Sequence, residues 1–462
     1  VSVGKLRRSA GPHGVVGPKD IAGARGVARA FGDRTFASGG LAAACLLALI
    51  GSSTGQANAE ARWSGWLQGD AAYAWPSPGR FTNLRTLGEL SGRGTLGGGL
   101  KWKLSAQAGF DAAYGISDRY PAVVRQDQRT AFALREAYLD FSHGDWEFRF
   151  GKQNIVWGEM VGLFFADVVS AKDLRSSILP EFDQIRIPQW AARAEWYGER
   201  AHVEMVWLPA PEVDDIGKPG AEFFAGPLVP PGLAHQVIGE QRPRRNLSNS
   251  GAGLRVSTLV GGWDLSGFVY RAPDTQAAFR RTIDVSSGAP VATYQAWYPR
   301  VTRVGATVAK DFSGIVAKAE MVYTKGRRFS RLPPDASDGL ANLDSLDWVM
   351  GVDLTPANGW RVNAQVFQRA FLDYEPAIGM DRRENGASLL VSHAVNDRLD
   401  VEFLGITSFN RSDRLLRLML SWRPDAHRRI RAGVDVFSGS PYGMFGRFDD
   451  SDRIWGEYRY SF

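Results

Sequence analysis

From Leu100 to Tyr114 apolar and polar side chains alternate over fifteen residues: Leu100, Trp102, Leu104, Ala106, Ala108 and Phe110 against Lys101, Lys103, Ser105, Gln107 and Asp111. A period of two puts the two sets on opposite faces of an extended chain. A soluble strand is typically about five or six residues long, so this one is too long for an ordinary sheet. The pattern recurs. Trp146, Phe148 and Phe150 alternate with Glu147 and Arg149; Ile315 to Tyr323 alternates around Lys318 and Glu320; Leu416, Leu418, Leu420 and Trp422 alternate around Arg417 and Ser421. Long strands with one apolar and one polar face suit a transmembrane barrel, where lipid takes one face and the lumen the other. Closure of the barrel leaves no unpaired backbone edge in hydrocarbon.

The connections alternate in length. Short ones fall at 97–99, 143–145, 198–200, 261–262, 311–314, 355–359, 395–397 and 423–427. Long ones fall at 76–82, 115–130, 159–186, 209–249, 272–298, 325–344, 371–385, 409–413 and 439–450. Nine long loops and eight short turns predict an all-β fold: an antiparallel transmembrane β-barrel of about eighteen strands, with short periplasmic turns and longer extracellular loops. Trp102, Trp146, Trp196, Trp263, Phe312, Trp360 and Trp422 flank the short turns and read as an interfacial aromatic girdle. A mean hydropathy of −0.22 excludes a helical membrane protein, and 11% aromatic residues argue against disorder.

Residues 41–50 read LAAACLLALI, preceded by basic residues and followed by Ala57-Asn58-Ala59. This is the pattern of a secretory signal peptide, so residues 1–59 are expected to be a leader and 60–462 the barrel. The stretch ahead of the apolar run exceeds an ordinary basic n-region, which places the expected translation start downstream, with Val27 as a candidate. Of the 55 Lys/Arg and 49 Asp/Glu, seven and two lie in residues 1–59, leaving 48 against 47. The basic excess therefore belongs to the leader, and no nucleic-acid partner is implied. Cys45, the only cysteine, sits inside the apolar run. A chain cleaved after Ala59 has no disulfide, no thiol chemistry and no Cys-ligated zinc.

The chain ends Tyr458-Arg459-Tyr460-Ser461-Phe462. Tyr458, Tyr460 and the terminal Phe462 resemble the signal read by the outer-membrane assembly machinery. Three further boxes stand out: Leu134-Arg135-Glu136-Ala137-Tyr138-Leu139; Arg149-Phe150-Gly151-Lys152-Gln153 continuing to Trp157-Gly158; and Asp167-Val168-Val169 continuing to Lys172-Asp173-Leu174-Arg175. Together they resemble a proteobacterial family of outer-membrane barrels known only as a domain of unknown function. Ser170-Ala171 stands where members often carry Asn-Pro, and Lys152 where they carry Arg. The resemblance implies an outer-membrane location in a Gram-negative cell and an accessory channel encoded beside exporters or hydrophobic-compound pathways. It brings no catalytic residues.

Little else suggests chemistry. Gly92-Arg93-Gly94-Thr95-Leu96-Gly97 matches GxGxxG, but a strand and a hairpin turn surround it instead of a strand-to-helix turn. No HExxH or GxSxG is present, so no cofactor, metal or catalytic residue is expected. A nonlocal Ser/His/acid cluster at the rim is the feature that would support a barrel-based enzyme. Alternation assigns sixteen bases and sixteen acids to the lumen face. A polyanion channel should be predominantly positive inside; this balance points to salt-bridged walls. The basic clusters Arg242, Arg244, Arg245 and Lys325, Arg327, Arg328, Arg331 fall in expected outer loops, where lipopolysaccharide is the partner they suit.

The third long loop, 159–186, carries Leu163, Phe164, Phe165, Val168, Val169, Leu174, Ile178 and Leu179. Such apolar content is costly on an open surface, so the loop is expected to fold inward and narrow the pore. Ser170 and Asp173 form a Ser-x-x-Asp capping box, which predicts a short helix starting there. Glu136, Tyr138, Asp140, Glu147, Arg149, Gln153 and Trp157 share the lumen face beside the loop's base. Lys172, Asp173 or Arg175 is expected to anchor the loop on the wall charges of this patch, Glu136, Asp140, Glu147 and Arg149. The expected function is a porin-like channel for small or amphipathic solutes. The alternatives are an export channel for polysaccharide or hydrophobic cargo working with a periplasmic or inner-membrane transporter, then a barrel-based enzyme, and last a non-conducting structural barrel.

Overall fold

The computed structural model describes residues 61–462 apart from 161, 164, 287, 335–337 and 357; the leader read in residues 1–59 lies outside the described residues. Eighteen strands form one sheet. They are β1 (Arg62–Ala74), β2 (Arg80–Thr95), β3 (Lys101–Asp111), β4 (Thr130–His143), β5 (Trp146–Gln153), β6 (Gln189–Tyr197), β7 (His202–Leu208), β8 (Gly251–Val260), β9 (Trp263–Pro273), β10 (Arg300–Asp311), β11 (Ile315–Ser330), β12 (Leu340–Leu354), β13 (Trp360–Phe371), β14 (Arg383–Asn396), β15 (Leu399–Ser408), β16 (Asp413–Trp422), β17 (Arg428–Ser438) and β18 (Arg453–Ser461). Each pairs antiparallel with the next, and β1 returns to β18 from Trp66↔Ser461 to Ala74↔Arg453, which closes the ring.

The alternation becomes two faces. On β16, Leu416, Leu418, Leu420 and Trp422 are 38–51% exposed, whereas Arg417 turns inward and pairs with Asp435 of β17 at 2.7 Å. An apolar band of this extent on the outside is what a hydrocarbon layer covers. Near the short turns Lys310 Nζ lies 4.8 Å from the Trp263 ring and Trp360 stacks on His393 at 4.3 Å. Of the expected girdle, Trp102 is buried: Trp63 covers it at 6.1 Å and Gly94 opposite leaves room for its ring. The Gly261-Gly262 turn has φ of 58° and 77°, the pair of left-handed residues that a two-residue hairpin of matching twist requires. On the last strand Tyr458, Tyr460 and Phe462 are exposed on the outer face, and the Phe462 backbone exchanges both hydrogen bonds with Gly65.

Two departures from simple alternation matter. β3 stops at Asp111, three residues before the alternation ends, because Asp111 Oδ1 accepts the Leu84 and Ala113 N–H groups at 2.9 and 3.0 Å and turns the chain. Tyr114 then packs on Tyr120 within the second loop. Between β3 and β4 the register shifts, Ser105 facing Glu136 and Ala106 facing Leu134. Arg135 is the extra residue of this β-bulge, a feature that re-aims a side chain.

The long loops are themselves structured. Ala234–Gln241 of the fourth loop pairs in parallel with Val291–Trp297 of the fifth, which pairs antiparallel with Ala278–Asp284. β11 runs on to Ser330, so Lys325, Arg327 and Arg328 belong to a strand and not to an outer loop. Arg327 is buried, 3.5 Å from Asp274, which removes it from any basic surface.

Candidate functional site

The third loop crosses the lumen. Its first part seats an apolar cluster against the inner wall: Ile155, Trp157, Ala166, Val168 and Val169 pack on Ala191, Val206, Leu208, Phe268, Tyr270 and Val322. The Trp157 ring lies 5.2 Å from Phe268 and 6.0 Å from Tyr270, and its Nε1 donates to Glu204 at 3.0 Å. The polar backbone of this segment is served by one wall carboxylate. Glu320 of β11 accepts the N–H groups of Glu159, Met160 (3.1 Å) and Ala166 (2.9 Å). Buried backbone donors must be paired, and here a side chain does for an irregular segment what a ladder does for a strand.

The Ser170-x-x-Asp173 box does not start a helix. Ser170 Oγ donates to the Ile155 carbonyl at 2.6 Å, and Asp173 pairs with Arg175 at 2.9 Å. Ala171–Lys172 instead pairs with Arg186–Ile187 as a two-residue ladder. The short helix of this loop lies further on, at Phe182–Ile185, with Glu181 at its N-cap position. The Lys172 N–H donates to Asp214 of the fourth loop at 2.9 Å. Burial pushes the Asp214 carboxyl above its ordinary range even beside Lys172.

The second part reaches the opposite wall. Glu181 lies 2.8 Å from Arg429, 2.7 Å from Arg431 and 3.2 Å from Arg459. Arg417 donates to the Leu179 carbonyl at 2.7 Å. On the strand beside the loop's base, the bulge residue Arg135 donates to the carbonyls of Asp183 and Arg186 (2.8 Å for Arg186). Phe165 meets Phe367 of β13 at 5.8 Å. One loop thus touches β7 and β11 at one end and β16, β17 and β18 at the other, roughly half a turn of the ring apart.

The expected site residues divide. Glu136 pairs with Lys103. Arg149 bonds Asp140 at 3.1 Å and covers the Tyr138 ring at 4.4 Å. Glu147 lies in β5 opposite Glu195 of β6. These five wall residues contact one another and wall neighbours. Gln153 is fully buried and bonds the Ala191 carbonyl at 3.1 Å, and Trp157 is buried in the apolar cluster, so neither lines an open pore. Lys172, Asp173 and Arg175 do not anchor on Glu136 or Arg149. Asp173 and Arg175 pair with each other, and Arg175 also faces Asp215 of the fourth loop at 3.7 Å. Sequence reasoning placed Arg429, Arg431, Arg459 and Glu320 on the lumen face without singling them out, and passed over Glu181 and Arg135. The available signal for Glu181 is an acid between Leu179-Pro180 and Phe182, a charge set in the apolar part of an inward loop.

Below the loop lies a cavity of about 980 Å³, roofed by 176–184 and reaching the short turns at Thr355, Gly359 and Arg423. Its wall is largely salt-bridged: Arg431 with Glu457, Arg423 with Asp400, and Arg417 and Arg453 with Asp435. Above, the fourth loop packs on residues of the long-loop end. Glu222 accepts from Arg80 (3.0 Å), Tyr120 (3.0 Å) and Ser451 (2.7 Å), and Phe223 packs on Phe437 and Phe448. Burial alone would raise the Glu222 carboxyl, but the bonds from Arg80, Ser451 and Tyr120 hold it below its ordinary range.

A Ser/His/acid chain does occur near a short turn. Ser257 Oγ lies 3.3 Å from His202 Nδ1, and His202 Nε2 lies 3.1 Å from Glu195. Glu195 is also held by Arg193 at 2.6 Å and by the Tyr197 hydroxyl at 3.2 Å. Ser257 sits mid-strand, paired with His202 on one side and Ser266 on the other. Its backbone therefore offers no converging pair of N–H groups to hold an oxyanion, and the trio reads as a wall network.

The fold is a closed antiparallel barrel of eighteen strands. Crystal structures from Acinetobacter baumannii share it: OccAB1 at 8% identity, covering 88% of this chain and 98% of that one with a TM-score of 0.53; OccAB4 at 7%, 87% and 98%, TM-score 0.51; and OccAB2 at 12%, 87% and 98%, TM-score 0.50. No curated protein matches the chain in sequence. Residues 82–369 match the family described as Protein of unknown function (DUF1302), and the chain belongs to that family.

Proposed function

We propose that the protein is a porin-like channel of the outer membrane that passes small or amphipathic solutes past a constriction made by its third loop. The observation that carries this reading is the loop's span: it is fixed to one wall by an apolar cluster and to the opposite wall by arginines, with a cavity of about 980 Å³ beneath it. Diffusion through such a lumen is limited by pore width and wall charge. The partners that go with it are outer-membrane lipid, lipopolysaccharide at exposed outer-loop charges such as Arg244, and the assembly machinery at Tyr458, Tyr460 and Phe462. Single-channel recording in planar bilayers tests the reading: the purified barrel should conduct, and a folded barrel that stays silent with the loop tip removed would overturn it.

A second reading draws on the cavity's position. The cavity lining reaches the short turns beneath the third loop, while the fourth loop packs on residues of the long-loop end. With the short turns facing the periplasm, this suits an export channel that receives cargo from a periplasmic or inner-membrane transporter. Crosslinking in cells from Arg423 and from Arg244 separates the two, since export predicts a periplasmic protein captured at Arg423 alone.

A further inference from the structure

The arginines that hold the loop tip form the most concentrated anion-binding group facing the cavity. Glu181 Oε1 lies 2.8 Å from Arg429 Nη1 and 2.7 Å from Arg431 Nη1, and Oε2 lies 3.2 Å from Arg459 Nη2. Both oxygens of one carboxylate are engaged by guanidinium groups of two adjacent strands. The wall supplies one acid of its own to this group: Glu457, 3.2 Å from Arg429 and 2.5 Å from Arg431. Three cations against one fixed anion leave two positive charges for Glu181 to oppose. A guanidinium fork matches carboxylate geometry whichever molecule brings the carboxylate.

We propose that Arg429, Arg431 and Arg459 form a binding site for the carboxylate of an amphipathic solute, that Glu181 occupies this site at rest, and that a solute carboxylate displaces it and so releases the loop tip. The proposal rests on the channel reading and names its solute class. Displacement exchanges one carboxylate for another on the same donors, so few hydrogen bonds are lost in the swap. The cavity beside the triad has an apolar stretch, with Leu390, Leu404 and Met419 on the wall and Ile178 on the roof. A solute whose charge sits among the arginines can lay an apolar body there.

Exchange for Glu181 leaves the charge of the site unchanged when the solute carries one negative charge. The cavity lining holds eight arginines against six acids, Glu181 included, a surplus of two. A polyanion would meet Asp400, Glu402 and Glu457 before its charges were matched. Arg361, near the short turns, has no ion pair among the described residues, and it adds a positive charge at the entrance.

The test uses the full-length barrel in planar bilayers with three probes: octanoate, octanol (the same body without the charge) and acetate (the charge without the body). Octanoate should raise the conducting fraction several-fold, and octanol and acetate should not. Glu181→Gln should raise the conducting fraction without any probe and lower the octanoate concentration for half effect about tenfold, a shift worth about 1.4 kcal/mol. Arg459→Gln should raise that concentration. Because Glu181 lies outside the wall strands, its variant is expected to fold; heat-modifiable mobility on gels checks this. Equal responses to octanoate and octanol, or a Glu181→Gln barrel with unchanged conductance and octanoate response, would overturn the proposal while a conducting barrel keeps the channel reading intact. A barrel silent even without residues 173–185 removes both.

Discussion

The two ends of the third loop are held by different physics. Residues 155–169 are held as a protein core is, by a buried apolar cluster, an indole bonded to Glu204 and a carboxylate that satisfies three backbone N–H groups. Residues 176–184 put their charge on arginines that face a cavity, with Leu179 alone fully seated in an apolar cluster, beside Phe223, Phe437 and Phe448. Core contacts are lost only when water reaches them, whereas ion pairs beside water can be screened or exchanged. A loop fixed at one end and latched at the other behaves as a flap, and the boundary lies at the Ala171–Lys172 and Arg186–Ile187 ladder.

The largest expected effect comes from removing the latched part alone. The ladder already brings Lys172 opposite Arg186, so a short Gly-Ser link can replace residues 173–185 without moving the core part. Conductance and the size limit for neutral solutes should rise several-fold, read in bilayers and by liposome swelling, with the stability loss confined to the buried Leu179 and the loop's contacts with Asp215. A folded deletion variant with the conductance and size limit of the intact barrel would reduce the loop tip to a passive rim cap.

The core half should respond the opposite way. Trp157→Ala removes a ring buried against Phe268 and Tyr270 and leaves Glu204 without its indole donor. Large-to-small changes of this kind cost about 3–5 kcal/mol. Urea unfolding and protease resistance of 159–186 should both show the loss. A cost below about 1 kcal/mol would place it in the range of an exposed ion pair and erase the distinction between the halves.

Much of this architecture is legible in the sequence, because lipid imposes a period of two on every strand and punishes exceptions. The turn and loop boundaries follow from that period, and the inward fold of the third loop follows from apolar residues such as Val168, Val169 and Leu179. The anchors are not legible. Glu181 meets Arg431 across 250 residues of chain, and nothing local encodes which wall charge a loop will reach. Arg135 escapes because alternation assumes an unbroken ladder, and the bulge at Ser105 breaks it. The helix is misplaced for a related reason: Ser170 and Asp173 have the residue types of a cap, but Ile155 and Arg175 engage their side chains first.

Acid pH should act in opposite directions on two buried carboxylates of the fourth loop, Glu222 and Asp214. Glu222 is held below its ordinary range, so its contribution is present at neutral pH and lost only as pH falls through the depressed value. Asp214 is raised by burial, so its contribution is lost as pH rises through the raised value and returns as pH falls. Between about pH 7 and 5 the fourth loop should therefore keep or gain protease resistance. Loss should begin only below the ordinary carboxylate range. Steady loss across the mildly acid interval would assign the wrong sign to one of these two carboxylates.

The smallest expected effect is that of Arg149→Ala. Sequence alternation places Arg149 beside the loop's base and suggests that it anchors the flap. The structure gives its guanidinium to Asp140 and to the face of Tyr138, both on β4, while the loop is met by Arg135 on the near wall and by Arg429, Arg431 and Arg459 on the far wall. Removing it deletes one lumen cation and leaves Asp140 without its partner, so ion selectivity should shift slightly toward cations. Asp140 is still in contact with the aqueous lumen, and the stability cost should stay near the 0–1 kcal/mol of a solvent-accessible pair. Conducting fraction and octanoate response should match those of the unaltered barrel. If instead Arg149→Ala opens the channel as Glu181→Gln does, Arg149 joins Arg135 in holding the flap from the near wall, and the division between a fixed end and a latched end has to be redrawn around β5.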